Sequence, residues 1–308
     1  FELHSKFPLP SEKTVFDYFI DFSSMKWVEW CDGRTNVDFT LQRSIENQLI
    51  PTNETASVLY LSRLLVEHQK SILIQGPSTS KTLILNTLTT TILDGKTYEC
   101  HFYPMSNCST PTNLFSYLMS FMHKHQGKFG PLPNQNLIFF FDNIGSPKPE
   151  IYGAQPPLEL LRQLFDYHGF YNTKTVTFNE IVNTTLIGTL SDLHSIPKRL
   201  LSHFYPVHIP NYSNETYSVI MKELLKQRLN DYTDNIKSEI DKVVNDTIHI
   251  FNECKQKLLP IPSKLHYVFN FRNIIRVIRG LLLCNSSYLK NSNDFLNLWR
   301  QQPKIVIF

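Results

Sequence analysis

Residues 137–141 read Leu-Ile-Phe-Phe-Phe and end on Asp142. No position in that run is polar, so neither face of a strand built from it can meet water. A strand of this kind belongs inside a parallel sheet covered by helices on both sides. The flanking sequence supplies the partners. Strand patterns are predicted at Ile72–Gln75, Cys100–Tyr103, Thr184–Gly188 and Phe204–Ile209. Helical patterns alternate with them at Lys81–Leu93, Asn113–His123 and Leu158–Tyr167. Strictly alternating strands and helices predict an α/β fold with a parallel sheet.

Before residue 51 the chain is aromatic and irregular, with Val15-Phe16-Asp17-Tyr18-Phe19 and Trp27-Val28-Glu29-Trp30, and reads as a lead-in of residues 1–50 packing on the domain. Pro51-Thr52-Asn53-Glu54 is a helix start, with Thr52 or Asn53 as cap. After Pro210 the pattern turns helical, through Tyr217–Leu229, Ile236–Leu258 and Leu265–Leu283, and strand character returns only at Ile305–Phe308. The expected organisation is therefore a lead-in, an α/β domain over 51–210 and a helical domain over 211–308.

Composition narrows the function classes. In a chain of 308 residues, a hydrophobic content of 42% is enough to bury a sizeable core. The net charge of +3 is spread along the sequence, which gives no reason to expect a nucleic acid or a membrane as partner. Cys31, Cys100, Cys108, Cys254 and Cys284 are odd in number and lack paired metal-ligand spacing, so they read as thiols in a reducing compartment. Asn53-Glu54-Thr55 and Asn214-Glu215-Thr216 fit the glycosylation triplet but read as accidents of an Asn-rich chain. The start at Phe1 rather than methionine is expected of a piece of something larger.

Between the first strand and its helix stands Gly76-Pro77-Ser78-Thr79-Ser80-Lys81-Thr82. A phosphate-binding loop needs Gly, four residues, Gly, Lys and Ser/Thr, because bare backbone N–H groups must wrap a phosphate. Lys81 and Thr82 satisfy the end of that pattern, but the loop is one residue short and Ser80 replaces the second glycine. Asp142, at the tip of an apolar strand, is placed to carry Mg²⁺ together with Thr82. Alone it reads as a turn or cap acid; coupled to Lys81-Thr82 at this spacing, the nucleotide reading prevails. The next residue, Asn143, can orient a water but cannot accept its proton.

Longer strings carry a family resemblance. Tyr152-Gly153-Ala154-Gln155-Pro156-Pro157-Leu158-Glu159-Leu160-Leu161-Arg162-Gln163, with His168-Gly169-Phe170-Tyr171, resembles the third AAA+ module of dynein heavy chains, the axonemal branch above all. Ile50-Pro51-Thr52 is similar to the segment on which adenine packs, and Pro197–Phe204 to the arginine-finger segment. Leu258–Arg272 resembles the lid of that module.

The resemblance implies a P-loop AAA+ module with a helical lid, a motor-ring part of ciliary or flagellar type that lies in the cytoskeleton of the axoneme. It implies ATP or ADP with Mg²⁺ on Gly76, Pro77, Ser78, Thr79, Ser80, Lys81, Thr82 and Asp142, with Arg272 sensing the terminal phosphate. Arg199 would reach the neighbouring module's site. Outside the resemblance both arginines read as surface charge. The implied partners are neighbouring modules of one heavy chain, with other dynein chains and microtubules reached only through the full-length protein.

Departures cluster at the site. Besides the loop and Asn143, Ser191-Asp192-Leu193-His194 stands where the family has a glycine-rich stretch, and Ser202 where it has a second arginine. The expectation is a module that holds nucleotide weakly or not at all and turns it over little. The alternatives are a scaffold without nucleotide or, less in keeping with the long strings, a stand-alone P-loop ATPase.

Overall fold

The computed structural model describes residues 14–21, 24–30, 48–77, 80–93, 95–172, 175–228, 234–284 and 291–307. They form two compact units: described residues up to Trp30 group with Asn53–Pro210, and those of 48–52 group with Asn211 onward. The segment expected as one lead-in is thus divided between the units. Ile50 is buried in the helical core of the second.

In the first unit, the lead-in contains an antiparallel hairpin, β1 (Tyr18–Asp21) with β2 (Lys26–Glu29), where irregular chain was expected. It is pinned by Trp30, whose ring lies 4.8 Å from Phe19 and 5.5 Å from Tyr60 and whose indole N–H donates to the Phe16 carbonyl at 3.0 Å. A buried indole needs that acceptor. The helix Asn53–Glu67 follows, then β3 (Ile72–Gln75) and the short helix Lys81–Thr87. The helix expected to reach Leu93 passes instead into a π-helical turn, Leu88–Ile92. Thr89 and Thr90 hydroxyls both donate to the Asn86 carbonyl, at 2.9 and 2.7 Å, and compete with the regular helical ladder there.

Next come β4 (Tyr98–Pro104), the helix Pro111–Ser120 capped by the Thr110 hydroxyl, and the hairpin β5 (His123–His125) with β6 (Lys128–Gly130). That hairpin was not expected, because His-Lys-His carries no apolar period. Its turn is made by Gln126 at φ 50° and Gly127 at φ +87°, both left-handed. β7 (Asn136–Asp142), the helix Pro156–Tyr167 and a second unexpected hairpin, β8 (Gly169–Asn172) with β9 (Thr177–Glu180), lead to β10 (Thr184–Leu190), the helical turn Lys198–Leu201 and β11 (Tyr205–His208).

Among the described residues, five strands make one parallel sheet in the order β11-β3-β10-β7-β4. β7 lies inside it, and Leu137, Ile138, Phe139 and Phe141 are fully buried. Phe139 and Phe141 face Leu114 and Leu118 of one helix and Leu158 and Leu161 of another, in a single apolar cluster. The run without a polar face is covered on both sides, as expected. The C-terminal ends of β3, β7 and β10 share one edge, where ligands bind in open α/β sheets.

The second unit is helical over Asn214–Arg228, Asp234–Lys257, Phe271–Leu282 and Ser292–Ile307. Phe271, Ile274, Val277, Ile278 and Leu281 form one buried stripe, packed with Leu224, Leu225, Val243, Val244 and Phe295. The helix expected from Leu265 starts only at Phe271, because Asn270 stops it from running upstream: its Oδ1 accepts the Arg272 N–H at 3.2 Å while its own N–H donates to Asn273 Oδ1 at 3.1 Å. The last residues also differ from expectation. Ile305–Ile307 close a helix that runs through Pro303, and Phe308 lies outside the described residues. No helix among the described residues is long and apolar enough to cross a membrane.

Candidate nucleotide site

The site grows from the tip of β3. The Gly76 N–H donates to the Leu190 carbonyl at 3.1 Å, and a Cβ at this position would stand 2.6 Å from the Ile209 carbonyl oxygen. Only glycine allows β3 and the chain beyond β11 to approach this closely. Pro77 continues the loop, whereas Ser78 and Thr79 lie outside the described residues. Ser80 is buried at the start of the helix, and its hydroxyl makes no capping bond. Thr82 is exposed in the first helical turn.

Lys81 is only 9% exposed. Its ammonium donates to the Gly76 carbonyl, to the Pro77 carbonyl at 3.1 Å and to the Ser191 hydroxyl at 3.1 Å. The three donors of one ammonium therefore join the ends of β3 and β10. Burial lowers its pKa below the usual lysine value, and the nearby Asp142 carboxylate acts in the opposite sense. In the sequence Ser191 reads only as part of the stretch that replaces the family's glycines. The signal that could have found it is its position one residue past β10, on the sheet edge that carries the loop.

Asp142 ends β7, and its Oδ1 accepts the Thr189 hydroxyl at 2.6 Å. The same hydroxyl oxygen accepts the Asn143 N–H at 2.8 Å. Thr189, fully buried on β10, thus fixes both the acid and the residue after it. Among the described residues no group of three or more His, Cys, Asp or Glu could hold a metal. Mg²⁺ takes one or two protein ligands and completes its shell with water and phosphate. Asp142 and Thr82 would hold it.

Asn143 is exposed in the left-handed region, φ 55°, and opens a turn closed by the Ser146 N–H on its carbonyl at 2.9 Å. Asparagine accepts that backbone conformation more readily than glutamate does. Replacing Thr189 by valine keeps the shape but removes the shared hydroxyl, leaving a carboxylate oxygen and a peptide N–H short of a partner. Thr189→Val is expected to cost about 1–3 kcal/mol in urea unfolding; a loss within error of zero would show that Thr189 does not organise this edge.

Arg199 is exposed on its four-residue helix, beside the buried Leu200. Ser202, at the place of a second arginine, donates its hydroxyl to the Arg199 carbonyl at 2.8 Å and closes that turn. Arg272 belongs to the second unit, where it is exposed in the first turn of its helix. The structure thus assembles Gly76, Pro77, Ser80, Lys81, Asp142, Asn143 and Ser191 at one sheet edge of the first unit.

Two family models match the chain. Residues 37–212 match the P-loop containing dynein motor region, and residues 220–303 match the dynein heavy chain ATPase lid domain. Dynein axonemal heavy chain 12 of Rattus norvegicus is 28% identical over 311 residues, which cover 98% of this chain and 10% of that protein. Dynein axonemal heavy chain 1 of Homo sapiens is 28% identical over 333 residues, covering 94% and 8%. Dynein axonemal heavy chain 3 of Mus musculus is 29% identical over 309 residues, covering 97% and 8%. The chain spans a tenth or less of the length of these relatives. A solved structure of Thermotoga maritima RuvB aligns over 83% of this chain and 70% of its own, with a TM-score of 0.48 and 13% identity, too loose a likeness to inform the site.

Proposed function

The chain belongs to the dynein motor family, and on that premise we propose that it is one AAA+ module of a heavy-chain ring whose own nucleotide site has been relaxed from hydrolysis. The observation that carries this reading is Asn143, an amide in a left-handed turn where hydrolysing relatives hold a carboxylate. An amide positions water but takes no proton, and loss of a general base slows a reaction about 10²–10⁴-fold. The shortened loop supports the same reading. A charge-assisted hydrogen bond lost to phosphate is worth about 1.5–3 kcal/mol, or roughly ten- to a hundredfold in affinity.

On this reading the α/β domain of 51–210 and the lid of 211–308 form the third module of the ring. Lys81 and Thr82 face phosphate and Mg²⁺, Arg272 senses nucleotide from the lid, and Arg199 serves the neighbouring module. The full heavy chain acts on microtubules in a ciliary or flagellar axoneme. Titrating the chain calorimetrically with ATP and Mg²⁺, then measuring phosphate release, is expected to give weak binding and release at background. Brisk release that Lys81→Ala abolishes would overturn the proposal.

A scaffold without nucleotide is favoured by one observation, the Ser191 hydroxyl already bound to Lys81. Ligand that binds only the folded state raises the melting temperature by mass action. A melting temperature unmoved by saturating ATP and ADP selects the scaffold.

A further inference from the structure

The first two residues of the loop after β3 offer no donor to an anion. The Gly76 N–H is taken by the Leu190 carbonyl at 3.1 Å, and Pro77 has no N–H to give. What both turn toward the Lys81 ammonium is a carbonyl oxygen, the negative end of the peptide dipole. A phosphate-binding nest works in the opposite sense, with N–H groups converging on the ligand. These two carbonyls form a cradle for a cation, and Lys81 fills it.

Ser191 completes the enclosure. Its hydroxyl oxygen accepts from the Lys81 ammonium at 3.1 Å, across 110 residues of sequence. An ammonium has three donors and no acceptor, so two loop carbonyls and one hydroxyl engage all of it. Gly76 is buried and Pro77 half-buried, whereas Ser191 is exposed. Of the three acceptors, the hydroxyl is therefore the one that stands toward solvent.

We propose that Ser191 is an internal latch: its hydroxyl competes with the phosphate oxygens of a nucleoside di- or triphosphate for Lys81 and so lowers the affinity of the site. The proposal rests on the reading of this edge as a nucleotide site. It adds that weak binding comes from a contact the chain makes with itself, and not only from donors that the short loop lacks. A phosphate oxygen reaches Lys81 by displacing an acceptor already in place. Binding then exchanges one hydrogen bond to a charged donor for another, and only the difference between them contributes to affinity.

The test compares the parent chain with Ser191→Ala, Ser191→Gly and Ser191→Thr by calorimetric titration with ADP and with ATP and Mg²⁺. The exposed position lets all three fold, which their melting temperatures verify. Ser191→Ala and Ser191→Gly are expected to bind about tenfold more tightly than the parent, or to bind where the parent does not. Ser191→Thr keeps the hydroxyl and should stay at the parent value. Unchanged or weaker affinity in the first two variants, binding by none of the chains, or an equal gain in Ser191→Thr overturns the latch. A second readout uses no nucleotide: trace acetylation of Lys81 with acetic anhydride, followed by mass spectrometry, should run faster in Ser191→Ala than in the parent. Removing the acceptor both uncovers the amine and favours its neutral form; equal rates overturn the latch. Phosphate release well above background from the parent chain would instead overturn the relaxed-site reading, while the latch is judged on affinity and labelling.

Discussion

Phe139→Ala will destabilise the first unit by about 3–5 kcal/mol, the usual range for a fully buried phenylalanine. Phe139 has no exposed surface and stands opposite His101 of β4 and Leu186 of β10. Its ring lies 6.0 Å from His101, 6.3 Å from both Tyr117 and Phe121, and 6.4 Å from Phe141. Strands bonded on either side and helices over the face leave the cavity little room to collapse, which puts the change at the costly end of core truncations. Phe102→Ala is the contrasting substitution. Phe102 is 43% exposed on the edge strand β4 and should cost less than about 1 kcal/mol. Urea unfolding followed by hydrogen exchange across β7 separates the two. Equal losses at both positions would mean that the sheet is not the cooperative core of this unit.

Lys81→Met will have two effects that are separable. Without nucleotide it leaves the Gly76 and Pro77 carbonyls and the Ser191 hydroxyl without their shared donor, at about 1–3 kcal/mol for each group that water cannot reach. With nucleotide it removes any rise in melting temperature. Thr82→Ala, at an exposed side chain, should show the second effect without the first. Lys81 also has a pH signature of defined sign. Its folded pKa is lowered by burial from 10.5, so the folded state releases the proton before the unfolded chain does. In the alkaline window below 10.5 the unfolded state binds more protons, and stability gains as pH rises. An alkaline series of unfolding midpoints should show that gain in the parent chain relative to Lys81→Met. Parallel curves would place Lys81 in water rather than in the loop.

The two units differ in how far they could be read in advance. Leu-Ile-Phe-Phe-Phe could only be an interior strand, and the apolar stripe from Phe271 to Leu281 could only be one face of a helix. In both, a short-range pattern states which atoms must leave water. The hairpins β5–β6 and β8–β9 are not legible in the sequence because no period of alternating apolar residues runs through them, Phe170 being the one fully buried aromatic among their strands, and turn backbone such as Gln126-Gly127 sets their register. Ser202, which stands where the family has a second arginine, closes its helical turn through a hydroxyl bond that the sequence does not announce.

By itself the sequence determined the alternation of strands and helices, the helical lid, the positions of Lys81 at the start of a helix and Asp142 at the end of a strand, and the family. These follow from local periodicity and from motif order along the chain. Only the tertiary structure decided that Lys81 shares its ammonium with Ser191, 110 residues away, and that Thr189 holds Asp142 across 47 residues. It also decided that Asn143 sits in a left-handed turn. Each depends on which strands become neighbours and where their ends meet, and sheet order is fixed by the packing of the whole unit rather than by any one segment.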